Sequence, residues 1–92
     1  MARLNDEEIA QQLAGLEGWS RSGDAISKTY EGDDFMSSVG LVNRLAPVAE
    51  EMNHHPDLEI SWNKVTVTIT THSEGGLTEN DFVLAGKVDG VA

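Results

Sequence analysis

The sequence predicts an α+β fold in the order αββαββα, a four-stranded antiparallel sheet with helices packed on one face. Three stretches repeat apolar residues at helical spacing, and four shorter stretches are strand-like and set in pairs around tight turns. Sequential hairpins impose antiparallel pairing, and helices beside an antiparallel sheet with one uncovered side make an α+β domain. A chain of 92 residues allows one domain, residues 1–92, with one core.

The elements follow in order. Asn5 and Glu8 have the spacing of a capping box, and Ile9, Leu13 and Leu16 continue a helical stripe that ends near Gly15 to Gly18. Trp19 to Arg21 and Ala25 to Tyr30 flank Ser22-Gly23-Asp24, whose Gly and Asp tolerate the positive φ of a hairpin turn. From Asp33 a long helix carries Phe35, Val39, Val42, Ala46 and Ala49 on one stripe. Pro47 lies inside it and, at a cost of roughly 3 kcal/mol, predicts a kink or a break.

Leu58, Ile60 and Trp62 then alternate with polar residues, as do Val65, Val67 and Ile69 with Thr66, Thr68 and Thr70. A two-residue turn at Asn63-Lys64 would place Trp62 opposite Val65, Ile60 opposite Val67 and Leu58 opposite Ile69, all on one face. Thr78 to Asp81 reads as the start of a last helix carrying Leu84, Val88 and Val91. An edge strand of alternating Val and Thr has little to stop it pairing with another chain, so a homo-oligomer built on strand edges or helix faces is expected.

Six Lys and Arg against 16 Asp and Glu give a net charge of −10. That field repels phosphate backbones and anionic bilayers, which argues against direct nucleic-acid or membrane binding. The chain has no cysteine, which removes disulfides, thiolate metal ligands and a cysteine nucleophile, and fits the cytoplasm. No run approaches 18 apolar residues, and the polar, acidic start does not read as a signal peptide.

All three histidines, His54, His55 and His72, fall within 19 residues. Antiparallel return from the second hairpin should bring Thr71 and His72 beside Pro56 and Asp57, making a cluster. Pro56 pushes His55 toward extended geometry, which ends the helix and splays the two imidazoles apart. Each residue also has a plainer reading. A His-His pair before Pro suits a helix end, where a charged imidazole meets the dipole. Asp81 completes a capping spacing with Thr78. Glu50 sits one helical turn before His54 and could form a surface pair with it. Trp62 reads as core, whereas Trp19, flanked by polar residues, reads as a half-exposed indole able to stack on a flat heterocycle.

Three histidines could bind zinc, but adjacent ligands in an extended step point apart and no second spacing supplements them, so no metal is assigned. No serine lies in a Gly-x-Ser-x-Gly turn. Acid–base chemistry by unligated imidazole remains, a kind of step that contributes about 10² to 10⁴-fold.

This arrangement resembles the pterin-4a-carbinolamine dehydratases. Their signature is an acidic residue, three others, His-His-Pro, five others, an aromatic, nine others, His, eight or more others, then Asp. Here it reads Glu50, His54-His55-Pro56, Trp62, His72 and Asp81, with gaps of three, five, nine and eight over 32 residues. The likeness extends through Asn63-Lys64-Val65, Thr71-His72 and Gly76-Leu77-Thr78, and back through Gly18-Trp19 and Asp24-Ala25-Ile26. The family's αββαββα architecture agrees with the order read above.

The resemblance implies dehydration of 4a-hydroxytetrahydropterin to quinonoid dihydropterin, which recycles the pterin cofactor of aromatic amino-acid hydroxylases. It implies no cofactor or metal, a small-molecule pterin substrate and a homodimer or homotetramer. His54 matches the family's principal acid/base, and His55 and His72 match the other pocket histidines. Glu50 and Asp81 match acidic positions that orient or tune them, and Trp19 matches an aromatic near the pocket. Asn53 stands where some members carry Asp, and Pro47 interrupts a helix expected at an intersubunit contact. The alternative is a non-catalytic module that binds a pterin or stabilises a partner, as animal members do for a transcription factor. His54→Ala is expected to abolish most turnover while leaving folding intact.

Overall fold

The computed structural model describes residues 2–92. Asn5 Oδ1 accepts from the Glu8 backbone at 2.8 Å and the Glu8 carboxylate accepts from the Asn5 backbone at 2.9 Å. This capping box opens α1, Asp6–Ala14. Strands β1, Ser20–Ser22, and β2, Ala25–Glu31, form a hairpin in which Ser22 pairs with Ala25, leaving Gly23-Asp24 as the turn. Gly23 has φ 60°, as such a turn requires.

Helix α2 runs Phe35–Met52, capped by Asp34, whose carboxylate accepts from the Ser37 backbone at 2.8 Å. It passes through Pro47 without the break that the sequence allowed. Pro47 and Asn43 are both exposed, so water can satisfy the Asn43 carbonyl that the proline leaves without a donor. Asn53 ends the helix in the left-handed region at φ 50°, and the His54 backbone N–H returns to the Ala49 carbonyl at 3.1 Å. Asparagine tolerates that geometry better than most residues, which gives Asn53 a structural task at the bend into the His-His-Pro corner.

Strands β3, Asp57–Ser61, and β4, Lys64–Ile69, form the second hairpin, and the sheet order is β1-β2-β4-β3, all antiparallel. Its register corrects the expectation. Ile60 faces Val65 and Leu58 faces Val67, so the turn is Trp62-Asn63, not Asn63-Lys64. The slip is two residues, which keeps every apolar side chain on the same face. Neighbouring elements select the turn. Asn63 exchanges two hydrogen bonds with Gly32, at 2.8 and 3.0 Å, and Ser38 Oγ donates to the Trp62 carbonyl at 2.7 Å.

Trp62, expected in the core, is therefore 67% exposed, with φ 51°. The Val/Thr strand is likewise not an edge: β4 pairs with β2 through six residues and with β3 on its other side, so the edges are β1 and β3. Val65, Val67 and Ile69 are buried under α2 and the last helix, α3, Glu79–Val91, while Thr66 and Thr68 face away from the helices. The helices thus cover one face, as the α+β reading required. No helix among the described residues is long and apolar enough to cross a membrane.

Candidate active site

The end of α2, the start of α3 and the segment after β4 converge on one carboxylate. Asp81, in the first turn of α3, is completely buried. Its Oδ2 accepts the Thr78 backbone N–H at 2.8 Å and the Thr71 hydroxyl at 2.8 Å. Its Oδ1 lies 2.5 Å from His54 Nε2. One Asp81 oxygen thus serves the helix cap while the other faces His54.

Burial of a carboxylate requires donors on its oxygens, and three converge here. With both Oδ2 contacts donating, Asp81 is an acceptor and the His54 Nε2–H donates to it. The tautomer follows: Nδ1 of His54 is the ring atom left for other chemistry. An imidazole held this way by its Nε2–H keeps Nδ1 free to accept a proton from a bound molecule. It can then return the proton as a general acid.

The second histidine turns outward. His55 Nε2 lies 3.3 Å from Glu50 Oε2, with both side chains largely exposed. Glu50 therefore pairs with His55, not with His54 one helical turn away, and an exposed pair of this kind contributes little to stability. The two imidazoles splay into different surroundings, as the Pro56 argument required.

His72 begins a 3₁₀ turn, His72–Glu74, and is exposed. Thr71 and Gly76 form an isolated antiparallel bridge that closes this loop, with Gly75 in the left-handed region at φ 70°. The expected neighbours of His72 are displaced, because Asp57 pairs with Thr68 rather than with Thr71 or His72. His72 is joined to the His54–Asp81 pair through Thr71, the residue before it.

Trp19 is not the half-exposed platform that its polar neighbours suggested. It is 6% exposed, its indole N–H donates to Asp89 Oδ2 at 3.0 Å, and it packs edge-on against Tyr30. Asp89 lies eight residues along α3 from Asp81, about 12 Å at 1.5 Å per residue. Lys28 Nζ also donates to Asp89, at 2.9 Å, and the Tyr30 hydroxyl is a further donor to the same carboxylate. Burial, then the Asp89 hydrogen bond and charge, push the Tyr30 hydroxyl pKa up. For Asp89, burial acts upward but is outweighed by hydrogen bonds from Tyr30, Lys28 and Trp19 and by the Lys28 charge, so its carboxyl lies below the ordinary range. Nothing in residue spacing announced this cluster.

Cavities lie away from the histidines, among them one of about 240 Å³ between the end of α1 and the start of α3. A second, of about 140 Å³, lies beside the start of α2 and includes Ser38 and Asn63. Another, of about 290 Å³, lies by the start of α1 between Arg3 and Arg21. Among the described residues, no group of three or more His, Cys, Asp or Glu side chains is gathered closely enough to hold a metal ion.

The chain is similar in sequence and fold to known proteins. The profile of a family described as pterin 4 alpha carbinolamine dehydratase matches residues 2–91. A protein of Thermosynechococcus vestitus, provisionally named a pterin-4-alpha-carbinolamine dehydratase, is 48% identical over 90 residues, covering 98% of this chain and 95% of its own. One from Nocardia farcinica, named in the same provisional way, is 48% identical over 97% and 94%. Among solved structures, a transcriptional coactivator/pterin dehydratase from Brucella melitensis superposes with a TM-score of 0.93 at 36% identity, over 98% of each chain. A pterin dehydratase-like protein identified as a RuBisCO assembly factor in the alpha-carboxysome shares the fold, with a TM-score of 0.65 at 20% identity over 80% of this chain and 86% of its own.

Proposed function

Because the chain belongs to the pterin 4 alpha carbinolamine dehydratase family, we propose that it dehydrates 4a-hydroxytetrahydropterin to quinonoid dihydropterin, with His54 as the principal acid/base. The observation that carries this reading is the 2.5 Å contact between His54 Nε2 and the buried Asp81, which leaves Nδ1 for a substrate. In the reaction the C4a–O bond breaks, the departing hydroxyl takes a proton and leaves as water, and a ring nitrogen forms the C=N bond as its own proton is withdrawn. No electrons are exchanged with an outside partner. An imidazole that can hold a proton at Nδ1 against a fixed carboxylate suits either transfer. His55, paired with Glu50, and His72, on the loop behind Thr71, are the groups assigned to bind the ring and assist.

The test is the ultraviolet decay of chemically generated 4a-hydroxytetrahydropterin with and without the protein, in a chelator. Acceleration that survives the chelator supports metal-free dehydration. Decay at the uncatalysed rate overturns it and favours a module that binds a pterin or stabilises a partner.

The partner expected in this reading is a second copy of the chain, in a homodimer or homotetramer, with the whole of residues 1–92 as one domain in the cytoplasm. Support comes from the β3 edge, where Leu58 and Ile60 continue the apolar row of Val67 and Val65 beyond the helices and remain about two-fifths exposed. Trp62, Phe35 and Met36 are also exposed. An open edge with apolar side chains is a template for another strand. Light scattering on the wild type and on Ile60→Lys tests it: a dimer or larger that falls to monomer agrees, and a wild-type monomer refutes it.

A further inference from the structure

We propose that Thr71 is a positioning residue for the dehydration, holding the Asp81 carboxylate in the orientation that presents Oδ1 to His54. This inference rests on the dehydratase reading and assigns a task to a residue outside the histidine signature.

A carboxylate bonded at one oxygen to a single donor can still swing about its Cβ–Cγ bond. Asp81 Oδ2 has two donors from different directions, the Thr78 backbone N–H and the Thr71 hydroxyl, each at 2.8 Å. Together they fix the plane of the group and so the direction in which Oδ1 points. A hydroxyl has one proton, and Thr71 spends it on Asp81. The Thr78 hydroxyl, 2.9 Å from Thr71 Oγ1, then donates to Thr71. Protons therefore run one way, from Thr78 to Thr71 to Asp81, and the other Asp81 oxygen takes the His54 Nε2–H. Thr78 and Asp81 are completely buried and Thr71 is half-buried, so water has little access to these bonds, and successive bonds in such a chain polarise one another.

Thr71 also ties this chain to His72. Its backbone N–H donates to the Gly76 carbonyl at 3.3 Å and its carbonyl accepts from Gly76 at 3.4 Å, closing the loop whose first residue is His72. One threonine thereby sets the tautomer of His54 through its side chain and the start of the His72 loop through its backbone. The branched side chain helps, since its χ1 is restricted.

The experiment compares wild type, Thr71→Val and Thr71→Ser. Valine keeps the shape and deletes the hydroxyl; serine restores it. Thr71→Val should lower kcat for carbinolamine decay by about 10- to 100-fold with KM little changed, as loss of an orienting partner typically does, and serine should recover activity to within about threefold of wild type. Nitrogen-15 spectra of the imidazoles should show His54 as one Nε2–H form in wild type and Thr71→Ser, and as a mixture of tautomers in Thr71→Val.

An unchanged kcat and an unchanged His54 spectrum in Thr71→Val overturn the proposal. If wild type accelerates no decay, the dehydratase reading fails alone, because the tautomer comparison needs no turnover. If Thr71→Val does not fold, the wild-type Thr71 hydroxyl proton decides: slow exchange with water supports the bond to Asp81, and exchange at the rate of a free hydroxyl overturns it.

Discussion

His54 Nε2 lies 2.5 Å from Asp81 Oδ1, although the two residues are 27 positions apart and sit at the end of one helix and the start of another. Their meeting converts a His-His-Pro corner and a helix cap into an imidazole with one nitrogen engaged and one available.

His54→Ala should lower kcat by about 10² to 10⁴-fold, the usual contribution of an acid–base group. The variant should fold, but with a stability loss of about 1–3 kcal/mol, because Asp81 Oδ1 loses its partner in a buried site. Steady-state rates and urea unfolding together check both parts. A wild-type rate would refute the assignment of His54.

Asp81→Asn keeps an oxygen for the donors of Thr71 and Thr78 but turns an amide toward His54. That favours the Nδ1–H tautomer, and kcat should fall by about 10-fold or more, as when an orienting group is lost. Circular dichroism should stay close to wild type. Retained activity with an amide at 81 would show that the carboxylate is not needed for orientation.

Pro47→Ala restores a donor for the Asn43 carbonyl within an unbroken α2. The gain from relieving proline, up to roughly 3 kcal/mol, is reduced by about 0.4–1 kcal/mol because the unfolded chain becomes freer. A net stabilisation of about 1–2 kcal/mol is expected, read from the urea midpoint. A destabilised variant would mean that the helix already accommodates the ring without loss.

Asp89 has a carboxyl pKa held below its ordinary value by Tyr30, Lys28 and Trp19, whose hydrogen bonds outweigh the opposing effect of burial. A depressed folded-state pKa gives stability that is present above the unfolded value, near 3.9, and is lost as pH falls through the folded one. Asp89→Asn should therefore melt below wild type at pH 7, and the gap should narrow as pH is lowered from 5 to 3. A gap that is constant over this range would show that ionisation of Asp89 does not contribute.

The predictions rest on features of different visibility in the sequence. The capping residue Asn5, a hairpin turn at Gly23-Asp24 and the alternation of Val65, Val67 and Ile69 are local patterns whose physics acts within a few residues, and the structure reproduces them, with Ser22 drawn from the expected turn into β1. That His54 and His55 point in different directions was also legible, because Pro56 restricts the backbone before it; which of them turns inward was not. The partners of those histidines were not. Glu50 stood at the helical spacing for His54 yet pairs with His55, since Asn53 turns the chain out of the helix first.

By itself, the sequence determined which segments are helix and strand, that one sheet face is apolar, and which family signature the chain carries. Tertiary structure alone decided that β4 lies inside the sheet, that the second hairpin turns at Trp62-Asn63, that Trp19 is buried against Asp89, and that Thr71, Asp81 and His54 share one hydrogen-bonded chain. The reason is the range of the forces. Period and capping are settled by neighbours along the chain, whereas a buried carboxylate or indole takes its partners from whichever donors and acceptors the packing of distant elements leaves within about 3 Å.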